Sequence, residues 1–115
     1  MSAEGEAELT NALFICSANR LRSPTAEAVF AEWPGVETDS AGLDNRADVQ
    51  LSTEQLEWAE IIFVMEEVHR KKLGERYREH LKGKRVVVLG IADDFRFMEP
   101  ELVDLMVARV GSYLR

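Results

Sequence analysis

ALFICSANRLRSPTAEAVFAEW, residues 12–33, changes its pattern twice. Ala12-Leu13-Phe14-Ile15 is a short apolar run of the kind that forms a strand. Pro24 to Trp33 repeats its large apolar residues at helical spacing, with Ala26, Val29, Phe30 and Trp33 on one face. Pro24 suits a first helical position, where a missing N–H is not missed. Between them, Cys16-Ser17-Ala18-Asn19-Arg20-Leu21-Arg22-Ser23 follows neither period. A strand that hands over to a helix through a short loop opens an alternating α/β fold.

The rest of the chain continues the alternation. Pro34-Gly35 breaks the helix, and Val36 to Ala41 is a weakly alternating strand ending at Gly42. Ser52, followed three residues later by Gln55, has the spacing of a capping box opening a short helix to about Ala59. Ile61 to Met65 is apolar throughout, as in a strand covered on both faces, and Val86 to Leu89 reads as another buried strand. Glu67 to Tyr77 is a charged helix. Pro100 opens a last helix carrying Leu102, Val103, Met106, Val110 and Leu114. This order predicts an α/β fold with a doubly wound, four-stranded parallel sheet and helices on both faces. Residues 1–10 are polar and acidic and read as a flexible N-terminal arm, with a single domain over 11–115. No repeat or linker interrupts it.

The bulk composition narrows the function. Hydrophobic residues make up 46% and charged residues 30%, which is ordinary for a soluble globular protein. No apolar run is long enough to cross a bilayer, and Met1-Ser2-Ala3-Glu4 lacks the basic and apolar segments of a signal peptide, so a cytoplasmic protein with no membrane contact is expected. The net charge of −7 argues against nucleic acid as a partner. Yet His69 to Arg85 carries eight Lys or Arg against two Glu, a local +6 that leaves −13 elsewhere. This basic 69–85 segment is either a solvated face or a docking surface for an acidic partner. The single cysteine makes an internal disulfide or a cysteine-only metal site impossible, so Cys16 is an inert core thiol or a reactive one.

Position favours the reactive reading. In open α/β sheets ligands bind at the carboxyl ends of the strands. Cys16 stands at a strand tip, while Arg22 and Ser23 stand at a helix start, where unpaired N–H groups and the helix dipole attract anions. Arg22 adds a planar donor fork that matches two phosphate oxygens, and the Ser23 hydroxyl is placed to donate to a cysteine sulfur. Asn19 tolerates the left-handed conformation that tight anion-binding loops often require.

The segment CSANRLRSPTAEAVF, Cys-(five residues)-Arg-Ser between a strand and a helix, closely resembles the signature of the low-molecular-weight protein tyrosine phosphatases, in a short, bacterial-type form. Ser40-Ala41-Gly42 resembles the family's Ser-Ala-Gly after the second strand. Ile62-Phe63-Val64-Met65-Glu66 is similar to its third strand, and Ile91-Ala92-Asp93-Asp94-Phe95 to its acid-bearing loop. The resemblance implies Cys16 as nucleophile and Arg22, with the amides of residues Ser17, Ala18, Asn19, Arg20, Leu21, Arg22 and Ser23, as the phosphate cradle. It implies Asp93 as general acid, with Asp94 its rival, Ser40 as a support behind Asn19, and Phe95 as an aromatic flanking the pocket. It implies no metal and no cofactor, and as substrate a phosphorylated protein or a small aryl phosphate. The sequence departs from the family pattern in a short Leu43-Asp44-Asn45-Arg46 stretch without a tryptophan wall, in Asp94 where proline usually follows the acid, and in Arg20 where an apolar residue is common.

Other readings remain beside this one. Asp93 is also what a solvated turn or helix cap would carry. His69 and His80 read as surface residues of a charged helix, and Trp33 and Trp58 as core. A thiol-dependent arsenate reductase and a non-catalytic phosphate-binding module share the same loop, the first distinguished by arsenate-dependent thiol oxidation and the second by absence of turnover.

Overall fold

The computed structural model describes residues 9–114. Four strands, β1 (Thr10–Cys16), β2 (Val36–Gly42), β3 (Ile61–Val64) and β4 (Arg85–Val88), form one parallel sheet in the order β2-β1-β3-β4. Four α-helices connect and follow them: α1 (Arg22–Phe30), α2 (Thr53–Trp58), α3 (Glu67–Tyr77) and α4 (Pro100–Val110).

The two-residue period of β1 builds two cores. Ala12, Phe14 and Cys16 point to one side, where Phe63 of β3, Ala26 and Phe30 of α1 and Leu102, Met106 and Val110 of α4 close around them. Phe14 stacks between Phe30 and Phe63, with ring centroids 5.8 and 5.2 Å away. Leu13 and Ile15 face the other side and meet Ile62, Val64, Leu56 of α2 and Leu73 of α3. A slip of one residue would send every β1 side chain to the wrong face, so these cores fix the register that sets Cys16 at the strand's carboxyl end. Because β1 is central, with connections leaving to β2 on one side and reaching β3 on the other, that end is the crevice where doubly wound sheets bind ligands.

Local chemistry explains most element boundaries. The Ser52–Gln55 capping box forms in both directions, and α3 spans the residues its pattern predicts. Differences cluster at ends. The predicted arm over 1–10 falls outside the described residues up to residue 8, while Thr10 already pairs in β1 opposite Val36. Helix α1 begins at Arg22, two residues before Pro24, and stops at Phe30, before Trp33. Pro24 fits at the third position because the N–H groups of the whole first turn have no intrahelical acceptor. Strand β4 is half-buried rather than buried, since it forms the sheet edge and Arg85 is exposed. Trp33 and Trp58 are half-buried at the margins of the two cores.

Candidate active site

The loop after β1 is shaped from outside. The N–H groups of Leu43, Asp44 and Asp48 donate to the carbonyls of Cys16, Ser17 and Ala18, each at 3.0 Å. In a planar trans peptide the N–H points opposite the C=O, so pinning three successive carbonyls outward turns the N–H groups of Ser17, Ala18 and Asn19 inward. The last of these donates to Cys16 Sγ at 3.2 Å. Asn19 takes φ 57°, the left-handed turn that lets the loop wrap the sulfur. Gly42 makes the fastening possible, because a Cβ there would lie 2.4 Å from the Ser17 carbonyl oxygen. The short 43–50 stretch, which the sequence marks only as a missing wall, thus serves as the outer brace of the loop.

A second chain of bonds runs behind the sulfur, and chemistry fixes its direction. The Glu27 carboxylate only accepts, so Ser40 Oγ, 2.5 Å away, donates to it and must accept from Asn19 Nδ2 at 2.9 Å. The other amide hydrogen of Asn19 goes to Ser23 Oγ at 3.0 Å. The Ser23 hydroxyl, which accepts from Asn19, still has its own proton to give to a Cys16 thiolate 2.9 Å away. Ser40 therefore does stand behind Asn19. Glu27 was not singled out from sequence, although it lies four residues after Ser23 on the same face of α1.

The cavity above the sulfur holds about 180 Å³ and is lined by Cys16, Ser17, Ala18, Arg20, Leu21, Arg22 and Asp93. Cys16 and Arg22 are 3% and 4% exposed. Arg22 Nη1 donates to Glu66 Oε2 at 2.5 Å and to the Ile91 carbonyl at 2.7 Å, and Asp93 Oδ1 lies 3.7 Å from Arg22 Nε. Nη1 is thus committed to the scaffold, while Nε faces Asp93. Arg20 reaches outward to Asp48 Oδ1 at 3.2 Å and to the Arg46 carbonyl. Asp94 is exposed and does not line this cavity. Phe95 does not flank it either: it packs against the first core and borders a separate depression beside Leu105, because the chain between Ile91 and Pro100 turns its ring toward α4. A larger depression of about 540 Å³ beside Leu43, Gln50 and Arg76 contains none of these groups. Among the described residues, no three His, Cys, Asp or Glu side chains gather as a metal site requires.

The chain was compared with known proteins. No family model and no curated sequence matches it. Solved structures do. YwlE arginine phosphatase from Geobacillus stearothermophilus is 26% identical over 91% of this chain and 92% of its own, with a TM-score of 0.73. Vibrio vulnificus Wzb, solved with benzylphosphonate, is 21% identical over 92% and 97%, with a TM-score of 0.74. SP-PTP, a low molecular weight protein tyrosine phosphatase from Streptococcus pyogenes, is 16% identical over 92% and 91%, with a TM-score of 0.74. Its fold is similar to that of the low-molecular-weight protein tyrosine phosphatases, whose signature its Cys16–Ser23 loop also resembles.

Within this phosphatase fold the basic 69–85 segment divides. His69 is not a surface residue but 1% exposed, bonded to the phosphate loop. Arg76 donates to the Leu43 carbonyl and Lys84 to those of Glu57 and Ala59, so these cations tie the scaffold together. His80 stays near the surface beside Glu57. Arg70, Lys71, Arg78 and Lys82 border a shallow groove. Among the described residues no helix is long and apolar enough to cross a membrane.

Proposed function

We propose that this chain hydrolyses phosphate monoesters, with phosphotyrosine as the preferred substrate, through a phosphocysteine formed on Cys16. The observation that carries this reading is the placement of Cys16, Arg22 and Asp93 on one small cavity. The Cys16 thiolate attacks phosphorus, the ester P–O bond breaks, and Asp93 gives its proton to the leaving oxygen. Asp93 then takes a proton from water, whose oxygen attacks phosphorus and breaks the S–P bond. Through both steps the Arg22 guanidinium and the inward amides hold the non-bridging oxygens. The Ser23 hydroxyl, which accepts from Asn19, gives its own proton to the thiolate and stabilises it as it departs.

Phosphoarginine is the competing substrate, because YwlE is an arginine phosphatase. Its leaving group becomes a cation on protonation, while Arg20, although paired outward with Asp48, adds positive charge at the cavity rim. Repulsion between like charges there favours an ester. The test is hydrolysis of p-nitrophenyl phosphate by wild type and Cys16→Ser, with a chelator present, followed by phosphotyrosine and phosphoarginine peptides. Wild type turns over and Cys16→Ser does not. Equal rates in the two proteins refute the nucleophile, and a higher kcat/KM on phosphoarginine refutes the preference.

A further inference from the structure

We propose that His69 is a positioning residue, which in its neutral form with the proton on Nε2 holds both ends of the phosphate loop at once. The argument begins with a backbone group that can only donate. The Glu66 N–H points at His69 Nδ1 from 3.0 Å, so Nδ1 carries a lone pair. A neutral ring then has its proton on Nε2, which lies 2.9 Å from Ser17 Oγ and donates to it. Ser17 follows the nucleophile directly. The same Glu66 sends its carboxylate to Arg22 at the far end of the loop. The N-cap and first turn of α3 therefore grip residue 17 through His69 and residue 22 through Glu66, and the bond between Glu66 and His69 joins the two grips.

Protonation breaks this arrangement, because an Nδ1–H would face the Glu66 N–H donor to donor. The surroundings hold the ring neutral. Burial lowers the His69 pKa most, and the Arg22 charge lowers it further; Glu66 opposes them, with smaller effects from Lys72, which lowers, and Asp44, which raises. A histidine kept neutral in the fold contributes its full stability above the ordinary value near 6.5 and loses it as pH falls below, where the unfolded chain takes up the proton first.

The role in turnover rests on the phosphatase reading, but the positioning is measurable without it. Ring-nitrogen NMR of the wild type at neutral pH should show His69 with hydrogen on Nε2 and none on Nδ1. Affinity for inorganic phosphate should fall ~3- to 10-fold in His69→Ala, the range one neutral hydrogen bond supports. His69→Gln, whose amide nitrogen can still donate to Ser17, should recover most of it and remove the loss of stability below pH ~6.5. Adding Ser17→Ala to His69→Ala should cause no further loss. A proton on Nδ1, wild-type affinity in His69→Ala, or a Gln variant no better than Ala overturns the proposal. If His69→Ala fails to fold, the ring nitrogens and the Gln variant decide. Phosphate affinity that depends on His69 without turnover of p-nitrophenyl phosphate would sink the enzyme reading and leave this one standing; turnover with affinity indifferent to His69 would do the reverse.

Discussion

Between Cys16 and Ser23, three successive carbonyls are held by N–H groups of the 43–50 stretch, and the side chains of Asn19, Ser23, Ser40 and Glu27 form one directed chain of hydrogen bonds. Across the cavity, the segment from Ile91 to Glu99 has fewer backbone hydrogen bonds to the rest of the fold, with Phe95 packed on the first core and Asp93 3.7 Å from Arg22. The Ile91 N–H meets the Met65 carbonyl, the Met98 N–H meets Thr25 Oγ1 and the Arg96 N–H meets Glu99, while Ala92, Asp93 and Asp94 stand exposed between them. The half of the site proposed to bind phosphate is densely hydrogen-bonded, and the half proposed to carry the acid is more sparsely bonded. This division suits the two tasks. Binding an anion gains from donors held in place beforehand, whereas the acid must follow leaving groups of different shape.

The comparison breaks most sharply at Asp93. A general acid matters most when the leaving oxygen is poor, so Asp93→Asn should lower kcat with phenyl phosphate by ~10²- to 10⁴-fold and with p-nitrophenyl phosphate far less. Asp94→Asn should leave both rates near wild type, since Asp94 lies outside the cavity. If Asp94→Asn alone produced the steep leaving-group dependence, the loop would reorganise on binding enough to exchange its two carboxylates.

On the densely bonded side, Arg22→Lys keeps the charge but not the fork. A lysine cannot hold Glu66 and the Ile91 carbonyl while presenting two donors to phosphate, so kcat/KM should fall by roughly 10²- to 10³-fold, the scale set by loss of a preorganised donor. Near-normal kinetics would show that the inward amides suffice.

The smallest effects compare the two halves directly by denaturant unfolding. Ser40→Ala strands an Asn19 donor in a buried site and should destabilise the protein by about 1–3 kcal/mol. Glu99→Ala removes an exposed bond to the Arg96 N–H and should change stability by less than about 0.5 kcal/mol. Equal losses would mean that the acid loop is as firmly built as the phosphate loop.

Cys16, Asn19, Arg22 and Ser23 were legible in the sequence because their grouping depends on neighbours in the chain: a strand end, a five-residue loop and a helix start. The same holds for the Ser52–Gln55 capping box and for α3, where i to i+3 and i to i+4 relations carry the information. Local pattern misplaced Phe95, whose ring direction depends on how α4 packs, and β4, whose half-burial follows from its place at the edge of the sheet.

What the amino-acid order determined by itself was the alternation of strands and helices and the loop that presents a thiol to an anion. The tertiary structure alone decided what holds that loop. Asp44 reaches Ser17, Glu66 reaches Arg22 across 44 residues, and His69 reaches Ser17 across 52. Such partners meet only because β1 lies between β2 and β3, so that three strand ends converge on one point. His69 is buried because it stands at the end of its helix nearest the strand tips, whereas His80 stands in the 3-10 turn beyond the far end, and only that placement separates them.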